Sequence, residues 1–166
     1  MKKLLALSLL AAVVAFAAFA AQQRPAAPTT PTFEKMKSLT GEWKATIPGM
    51  GEVHSVYSIK SGGSSLIEEM TEPDGTSMVT VYYPLNGGVA LTHYCSTHNQ
   101  PHMFGKIDGN AVTFNATSVD NLASPADGHM SAVTFTFKDN DHFSAAWKYE
   151  ANGKGEAHPF DYTRVK

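Results

Sequence analysis

The sequence has almost no cysteine. Cys95 is the only one among 166 residues. One cysteine cannot form a disulfide within the chain, which excludes a small scaffold stabilised by internal disulfides, so the hydrophobic core must stabilise the fold. Four interpretations of Cys95 remain open: a small buried apolar residue, a metal ligand, a reactive thiol, or a link to another chain.

The chain also lacks a strong imbalance of charge. Its 13 basic and 15 acidic residues give a formal net charge of −2, and no run of lysine or arginine occurs. A nucleic-acid-binding protein shows a basic patch, and a protein adsorbed on anionic lipid shows a polybasic segment. We therefore expect no nucleic acid partner and no binding to an anionic membrane surface.

A long apolar run occurs only at the N-terminus. Lys2 and Lys3 precede the run Leu4–Ala20, which ends in small residues. This pattern is typical of a cleaved secretory signal. The alternative is a membrane anchor, for which a run of about 17 residues is at the lower limit and for which the basic stop-transfer flank is missing. We predict a signal peptide over residues 1–21, a secreted or periplasmic location and no stable membrane anchor after cleavage. Loss of the two lysines would leave 11 basic and 15 acidic residues, a formal charge of −4.

Two regions of different composition follow the predicted signal, a linker and a domain. Residues 22–32 contain three prolines and no apolar periodicity, which predicts an extended linker. Residues 33–166 form the one predicted domain, which is long enough for a substantial core. It begins with Phe33–Leu39, where apolar residues at positions 33, 36 and 39 predict one or two turns of helix.

Short alternating segments separated by turn residues follow from Gly41 onward. No segment between them is long enough for the crossover helix of a parallel sheet. We therefore predict an all-β fold, a single antiparallel up-and-down β-barrel of about ten strands with a short N-terminal helix. A barrel of this size can hold one small ligand. The predicted strands span residues 41–47, 52–60, 64–71, 76–83, 89–96, 102–107, 110–118, 129–138, 142–150 and 156–165.

The first predicted strand begins with the run Leu39-Thr40-Gly41-Glu42-Trp43. This run resembles the Gly-x-Trp signature of the calycin superfamily, which includes lipocalins, fatty-acid-binding proteins and nitrobindin-like barrels. The resemblance implies that Trp43 closes one end of the barrel and that Arg164, in the last strand, packs over its ring as a cation on an aromatic face. The mature domain, with its runs Thr92-His93-Tyr94-Cys95 and Asn99-Gln100-Pro101, also resembles uncharacterised secreted bacterial proteins related to the DUF1579 family, which carry similar runs. These resemblances imply a fold and a cavity but no activity.

Polar residues concentrate in Leu91–Met103, which holds three of the seven histidines and the only cysteine. Alternation along the strand places His93 and Cys95 on the same face as Val89 and Leu91. That face is the more aliphatic one, so both side chains should point into the barrel. Side chains two residues apart on a strand lie about 6.5–7 Å apart, so both could contact one ligand.

The remaining candidate residues flank this strand. Asn99 and Gln100 lie in the loop that follows it, and each can donate and accept hydrogen bonds at the barrel rim. His102 begins the returning strand and is predicted to face back toward His93 or Tyr94. His129 begins another strand and could join the group from elsewhere in the barrel.

Four hypotheses compete for this cluster. The first is a hydrogen-bonded network that only ties strands together. The second is a small-molecule site, in which apolar lining is combined with a few polar groups that fix the ligand's orientation. The predicted lining comes from among Met70, Met78, Phe114, Phe135, Phe137, Phe143 and Trp147.

The third hypothesis is a metal or haem site through His93 or His102, although no standard zinc or covalent-haem spacing is present. The fourth is an enzyme in which Cys95 pairs with His93 or His102. Glu68, Glu69 and Glu72 could supply acids but also fit solvated strand or turn positions. No oxyanion hole or phosphate loop is indicated, so the residues favour a non-enzyme.

We therefore interpret the chain as a secreted or periplasmic protein that binds a small, largely apolar molecule in a barrel. The predicted ligand-binding residues are His93, Cys95, Asn99, Gln100, His102 and His129. No catalytic residue, resident cofactor or oligomeric state is assigned from the sequence.

Overall fold

The computed structural model describes residues 25–49 and 51–166. The signal peptide predicted over residues 1–21 lies outside the described residues. The described strands form one closed barrel in which each strand pairs with its neighbours in sequence and the last pairs with the first, all antiparallel. This confirms the prediction of a single all-β antiparallel barrel with a short helix before its first strand.

The strands match the predicted ones to within two residues at every end. Their bounds are β1 (Gly41–Ile47), β2 (Gly51–Lys60), β3 (Ser65–Thr71), β4 (Ser77–Leu85), β5 (Gly88–Tyr94), β6 (Gln100–Asp108), β7 (Ala111–Asp120), β8 (His129–Phe137), β9 (His142–Ala151) and β10 (Lys154–Arg164). No helix in the part of the chain that the structure describes is long and apolar enough to cross a membrane.

Helix α1 spans Pro31–Lys37 and begins two residues earlier than the apolar pattern predicts. Thr30 caps it, because its side-chain oxygen accepts a hydrogen bond from the Phe33 amide at 3.1 Å, and a proline at the first position has its backbone angle preset for the helix. Thr32 is buried, and its hydroxyl accepts a hydrogen bond from the Ile107 amide at 3.1 Å. The helix is therefore fastened to the barrel by its first turn.

Helix α1 lies across one end of the barrel, which we call the helix end. Trp43 is buried there, and its indole N–H donates to the Leu39 carbonyl at 2.6 Å. The Arg164 guanidinium carbon lies 4.0 Å from the Trp43 ring centroid, and Arg164 also donates to the Thr40 carbonyl at 2.8 Å. Trp43 and Arg164 thus join helix, first strand and last strand at this end.

The middle of the barrel is filled by its own aromatic side chains. The Phe143 ring lies 4.7 Å from both the Trp43 and the Tyr162 ring centroids, and Tyr82 packs edge-on against Phe114 and Phe135. All these residues are buried and belong to one continuous core. Interior space for a ligand must therefore be sought toward the opposite end, where the loops 72–76, 95–99 and 121–128 lie. We call this the loop end.

Candidate functional site

His93 points into the barrel, as the alternation of β5 predicts. Only 2% of its surface is exposed. Its Nδ1 atom lies 2.9 Å from the Thr80 hydroxyl on β4, and its ring centroid lies 4.8 Å from that of Trp147. Burial lowers the pKa of His93 from 6.5 to about 4, because the charged imidazolium would lose its hydration. The ring is therefore neutral at pH 7.

The other ring nitrogen of His93 is the unusual feature of this interior. His93 Nε2 is buried and makes no hydrogen bond with any residue among 25–49 and 51–166. A buried polar atom without a partner destabilises the fold, and most such atoms in native proteins are paired. The atom is therefore available to a partner from outside the described chain.

Side chains on neighbouring strands place His93 in an interior polar layer. Ser55 on β2, Glu68 on β3, Thr80 on β4 and His93 on β5 are all buried, and register pairs Glu68 with Thr80 and Thr80 with His93. Tyr162 on β10 completes this layer, since its hydroxyl lies 3.2 Å from that of Ser55. The polar layer therefore spans five strands of the barrel.

An apolar layer covers the polar layer on its loop-end side. Inward side chains of a strand recur every second residue, so each strand of the polar layer also supplies one residue nearer the loop end. Four buried residues pack together there, with Ile47, Met130 and Phe160 against them. The four are Val53, Met70, Met78 and Cys95. Methionine side chains are flexible and fill irregular space, so this layer can adapt to a guest molecule.

Glu68 is a site residue that the sequence analysis left open between an acid of the site and a solvated position. It is 2% exposed and therefore belongs to the interior. Its carboxyl oxygens accept hydrogen bonds from the Tyr57 and Tyr82 hydroxyls, each at 2.7 Å, and from Ser55 at 3.2 Å. The alternation Leu66, Glu68, Met70 on one face was the available signal, because two apolar neighbours at that spacing indicate an inward position.

Only hydroxyl groups hydrogen-bond to the Glu68 carboxyl group. Burial raises its pKa, and the hydrogen bonds from Tyr57, Tyr82 and Ser55 oppose that rise. Burial and the nearby carboxylate also raise the pKa of both tyrosines. The buried polar side chains of the described chain include no lysine or arginine. The polar layer therefore contains a buried carboxyl group without a basic partner.

Replacing Tyr82 by phenylalanine should lower the free energy of unfolding by about 1–3 kcal/mol, because one carboxyl oxygen of Glu68 loses its donor inside the barrel. Urea denaturation monitored by tryptophan fluorescence measures this change. Tyr83→Phe is the matched control, since Tyr83 is the next residue on β4 and is exposed. Equal effects of the two substitutions would contradict a buried carboxylate that depends on Tyr82.

Asn99 and Gln100 connect loops at the rim. Asn99 is buried, and its amide donates to the Gly128 carbonyl at 2.8 Å, which joins the loop 95–99 to the loop 121–128. Gln100 accepts a hydrogen bond from the Asn121 amide and donates to the His98 carbonyl at 3.5 Å. These contacts are those of a clasp between loops, as the first of the four hypotheses describes.

His102 lies on the outer face of the barrel rather than opposite His93. Its Nδ1 lies 3.0 Å from the Thr92 hydroxyl, and its Nε2 lies 2.9 Å from the Asp120 carboxylate. An outer groove of about 440 Å³ lies beside it. The alternative that His102 faces His93 fails because Thr92, the residue that pairs with His102 across the hairpin, points outward. Tyr94, the other predicted neighbour, lies on this outer face too. The two histidines cannot share one ligand inside the barrel.

His129 is also separate from His93. It begins β8, and its Nδ1 lies 3.0 Å from the Asp127 carbonyl. Of the six residues predicted to bind a ligand, the structure brings only His93 and Cys95 to neighbouring positions of the interior, and Asn99 is buried in the adjoining loop.

This geometry gives little support to a metal site of His, Cys, Asp and Glu ligands or to a catalytic thiol. Within residues 25–49 and 51–166, no three His, Cys, Asp or Glu side chains converge as such a site requires. Cys95 is buried and free and packs in the apolar layer with methionine and valine. A nucleophilic thiol is activated by a nearby base or positive charge, and Nε2 of His93, the base at the neighbouring inward position, makes no hydrogen bond with Cys95.

Comparison with known proteins informs on the fold of this chain and not on its function. No protein-family model matches the chain, and no curated protein matches it. Among solved structures, the chain is similar to the crystal structure of Rv2717c from M. tuberculosis, with a TM-score of 0.53 and 16% identity over 84% of this chain and 100% of that one. The fold is calycin-like. At this level of identity the likeness concerns the fold alone, and the nearer resemblance to the DUF1579 family stays a prediction.

Proposed function

We propose that this protein binds a small, largely apolar molecule at the loop end of the barrel, with His93 as its polar contact. The observation that carries the proposal is His93 Nε2, a buried acceptor or donor without a partner in the described chain. An adaptable apolar layer of valine, methionine and cysteine lies between this atom and the loop end, two residues away along the strands. An apolar site with one or two placed polar groups is the usual form of a small-molecule site.

The proposed ligand enters from the loop end because the other end is closed. Helix α1, Trp43 and Arg164 pack across the helix end, and aromatic rings fill the middle. At the loop end Cys95, Met70 and Met78 each retain some exposure, between 4% and 8%. A ligand that displaces methionine side chains there would reach His93 without opening the core.

The proposal includes the cellular location of the protein and its relationship to a protein family. The signal pattern over residues 1–21 supports a role in the periplasm or outside the cell. The run Leu39–Trp43 supports a relationship to the calycins, and the residues 92–95 and 99–101 support a relationship to secreted bacterial proteins of the DUF1579 type. With no basic patch in the sequence, we propose no nucleic acid partner and no membrane anchor after cleavage of the signal.

Haem ligated by His93 is the second candidate, because a neutral imidazole with an unpartnered nitrogen is the form that binds iron. The packing opposes it. The His93 ring lies against Trp147 and is surrounded by the interior layers, so a porphyrin would have to displace much of the apolar layer. A Soret band that appears on haemin titration and is lost in His93→Phe would favour this candidate over an apolar ligand.

We expect N-phenyl-1-naphthylamine, a neutral dye that fluoresces in apolar surroundings, to bind with saturation at one site per chain. The reactivity of Cys95 shows whether the dye binds in the proposed site, because Cys95 is the only cysteine and packs there. Saturating dye should slow alkylation of Cys95 by iodoacetamide about tenfold or more, since the dye covers the thiol. The reaction is followed by mass spectrometry of the intact protein.

The matched variants are His93→Phe, which removes the polar contact while keeping a ring, and His142→Phe at the exposed turn of the helix end. Dye affinity should fall about fivefold in His93→Phe, the value of one hydrogen bond, and stay unchanged in His142→Phe. Saturable binding that leaves Cys95 alkylation unchanged would place the site elsewhere, and the absence of saturable binding would contradict the proposed function for ligands of this class.

A further inference from the structure

Three sulfur-containing side chains lie side by side in the apolar layer at the loop end. Met70, Met78 and Cys95 are buried and pack together there. Register pairs Met70 with Met78 across β3 and β4. It pairs Val79 with Tyr94 across β4 and β5, so the next position brings Met78 opposite Cys95. Because neighbouring strands are about 5 Å apart, the three side chains form one row inside the barrel, which we call the sulfur row.

His93 supplies a nitrogen atom beside the sulfur row. It is the inward neighbour of Cys95 on β5, two residues away along the strand. Its Nδ1 lies 2.9 Å from the Thr80 hydroxyl. The two nitrogens of an imidazole point in divergent directions, so Nε2 points away from Thr80, and it is buried without a partner among residues 25–49 and 51–166. An unpaired nitrogen thus lies in the layer that adjoins the three sulfur atoms.

We propose that the sulfur row and His93 form a binding site for copper(I). Thiolate and thioether sulfur are soft ligands that favour this ion, and imidazole binds copper as well. Methionine sulfur is outside the His, Cys, Asp and Glu groups, which do not converge in the described chain. The inference goes beyond the proposed function, because the apolar layer here takes up a metal ion rather than an organic molecule.

The contact between Thr80 and His93 matches the surroundings of a metal-binding histidine. Such a histidine generally donates its other N–H to a nearby oxygen, which fixes the orientation of the ring. With copper on Nε2, the hydrogen is on Nδ1 and the Thr80 oxygen accepts it. Binding does not depend on the tautomer of the free ring, since a neutral imidazole can carry its hydrogen on either nitrogen. Thr80 is therefore a positioning residue of the site.

The two methionine side chains are able to close around an ion. A methionine has three rotatable bonds and a polarisable sulfur, so it adapts to its surroundings. Met70 Sδ accepts a hydrogen bond from the Tyr162 hydroxyl at 3.6 Å, and a thioether sulfur keeps a second lone pair for a metal. Copper binding therefore requires rotation of side chains in the apolar layer and no opening of the aromatic core.

Charge favours a monovalent ion over a divalent one. Copper binding converts the Cys95 thiol into a thiolate, and the proton leaves to the solvent. One thiolate neutralises one copper(I), whereas a divalent ion would keep a positive charge in the apolar layer, which is unfavourable. Glu68 is the only acid in the buried set of the described chain, and its oxygens already accept hydrogen bonds from Tyr57 and Tyr82. We therefore expect no comparable binding of zinc.

Competition with the copper(I) indicator bathocuproine disulfonate tests the site in the natural protein, without oxygen and with ascorbate to keep the ion reduced. We expect one copper(I) per chain to leave the indicator, and no uptake of zinc by the same protein. Met70→Leu and Met78→Leu keep the size and apolar character of the side chain. Each should weaken copper binding about tenfold, and Cys95→Ala about a hundredfold, because each removes one soft ligand.

Met103→Leu is the matched control, because Met103 is also buried but packs in the aromatic core, and its affinity for copper should stay unchanged. Thr80→Val should weaken binding about tenfold, the usual effect of removing the hydrogen-bond partner of a ligating histidine. Urea denaturation of each variant without copper checks that it folds. X-ray absorption at the copper edge identifies the ligands directly, with sulfur neighbours expected in the natural protein and one fewer in Cys95→Ala.

Copper that stays with the indicator, or bound copper with only nitrogen and oxygen neighbours, would overturn the inference. Unchanged affinity in Cys95→Ala, or in both Met70→Leu and Met78→Leu, would also overturn it, because the ion would then lie elsewhere. One ion per chain with sulfur neighbours, bound more weakly in these variants and equally in Met103→Leu, supports it. Dye binding by the metal-free protein tests the proposed function separately, so the failure of either result leaves the other standing.

Discussion

Lowering the pH from 7 to 4 is expected to remove about 3 kcal/mol of folding free energy through His93 alone. The pKa of this residue falls from 6.5 in the unfolded chain to about 4 in the fold, because burial disfavours the charged ring. Between these values the unfolded chain binds the proton and the folded chain does not, so protonation favours unfolding. About 1.4 kcal/mol for each pH unit of the shift gives the expected size.

Glu68 acts in the opposite direction. Its pKa is raised in the fold, so the folded chain binds its proton more readily than the unfolded chain does. As the pH falls through the raised value, Glu68 therefore adds stability relative to pH 7. The total pH dependence of the protein combines both groups, and the contribution of His93 has to be isolated by comparison with a variant.

The measurement is urea denaturation of the natural protein and of His93→Phe at pH values from 7 to 4. The difference in unfolding free energy between the two proteins should change by about 3 kcal/mol over this range, because phenylalanine has no proton to bind. His158→Phe serves as the control, since His158 is an exposed residue of β10. A pH-independent difference for His93→Phe would show that His93 is solvated, contrary to the packing described here.

Replacing Trp43 by alanine is expected to lower the free energy of unfolding by about 3–5 kcal/mol, the usual effect of removing a buried aromatic side chain. The substitution deletes the ring on which Arg164 packs and the edge-on contact with Phe143. It also removes the N–H donor to the Leu39 carbonyl. Three attachments at the helix end are thus lost together, and the helix has too few turns to hold its position alone.

Urea denaturation and circular dichroism measure this effect. The control is Tyr94→Ala, because Tyr94 is also aromatic but is 51% exposed on the outer face, and its loss should change stability by less than about 0.5 kcal/mol. Arg164→Gln separates the cation from the ring and should cost about 1 kcal/mol or more, since it removes the cation–π contact and a hydrogen bond. A loss below 1 kcal/mol for Trp43→Ala would contradict its role in closing the barrel.

Alternation along the chain was sufficient to predict much of the architecture. A period of two places His93 and Cys95 inward on β5, and the turn residues separate ten strands at nearly the right positions. This succeeds because one face of each barrel strand is buried and the other is solvated, so polarity reports orientation directly. The short connections also leave antiparallel pairing of sequential strands as the arrangement that the sequence allows.

Polarity does not indicate the orientation of a side chain where a polar residue is buried. The sequence left the position of Glu68 open, because carboxylates are almost never fully buried unless paired. Its partners Tyr57 and Tyr82 are distant in sequence and meet it only through the pairing of β2, β3 and β4. Hydrogen bonding across strands is a property of register, and register is not visible in the spacing of a single strand.

His102 shows the converse failure. The shared chemistry of the two imidazoles suggested that His102 would join His93 in one site. The wall of the barrel separates them, because His93 points inward and His102 points outward. The side chain lies on the outer face with Thr92 and Asp120. A histidine on a half-buried strand is compatible with either face, and only the pairing of His102 with Thr92 decides between them. The start of helix α1 was missed for a similar reason, since its cap is a threonine in a proline-rich segment.

Native mass spectrometry of the protein purified from the cells that produce it, compared with the same sample after denaturation, tests the central proposal most directly. The account predicts a non-covalent mass that disappears on denaturation and that belongs to a small, largely apolar molecule. The mass should be absent from the His93→Phe protein or reduced in it. A chain that carries no added mass under gentle ionisation, and that shows no saturable binding of N-phenyl-1-naphthylamine, would contradict a ligand-binding barrel and leave the polar layer as a purely structural network.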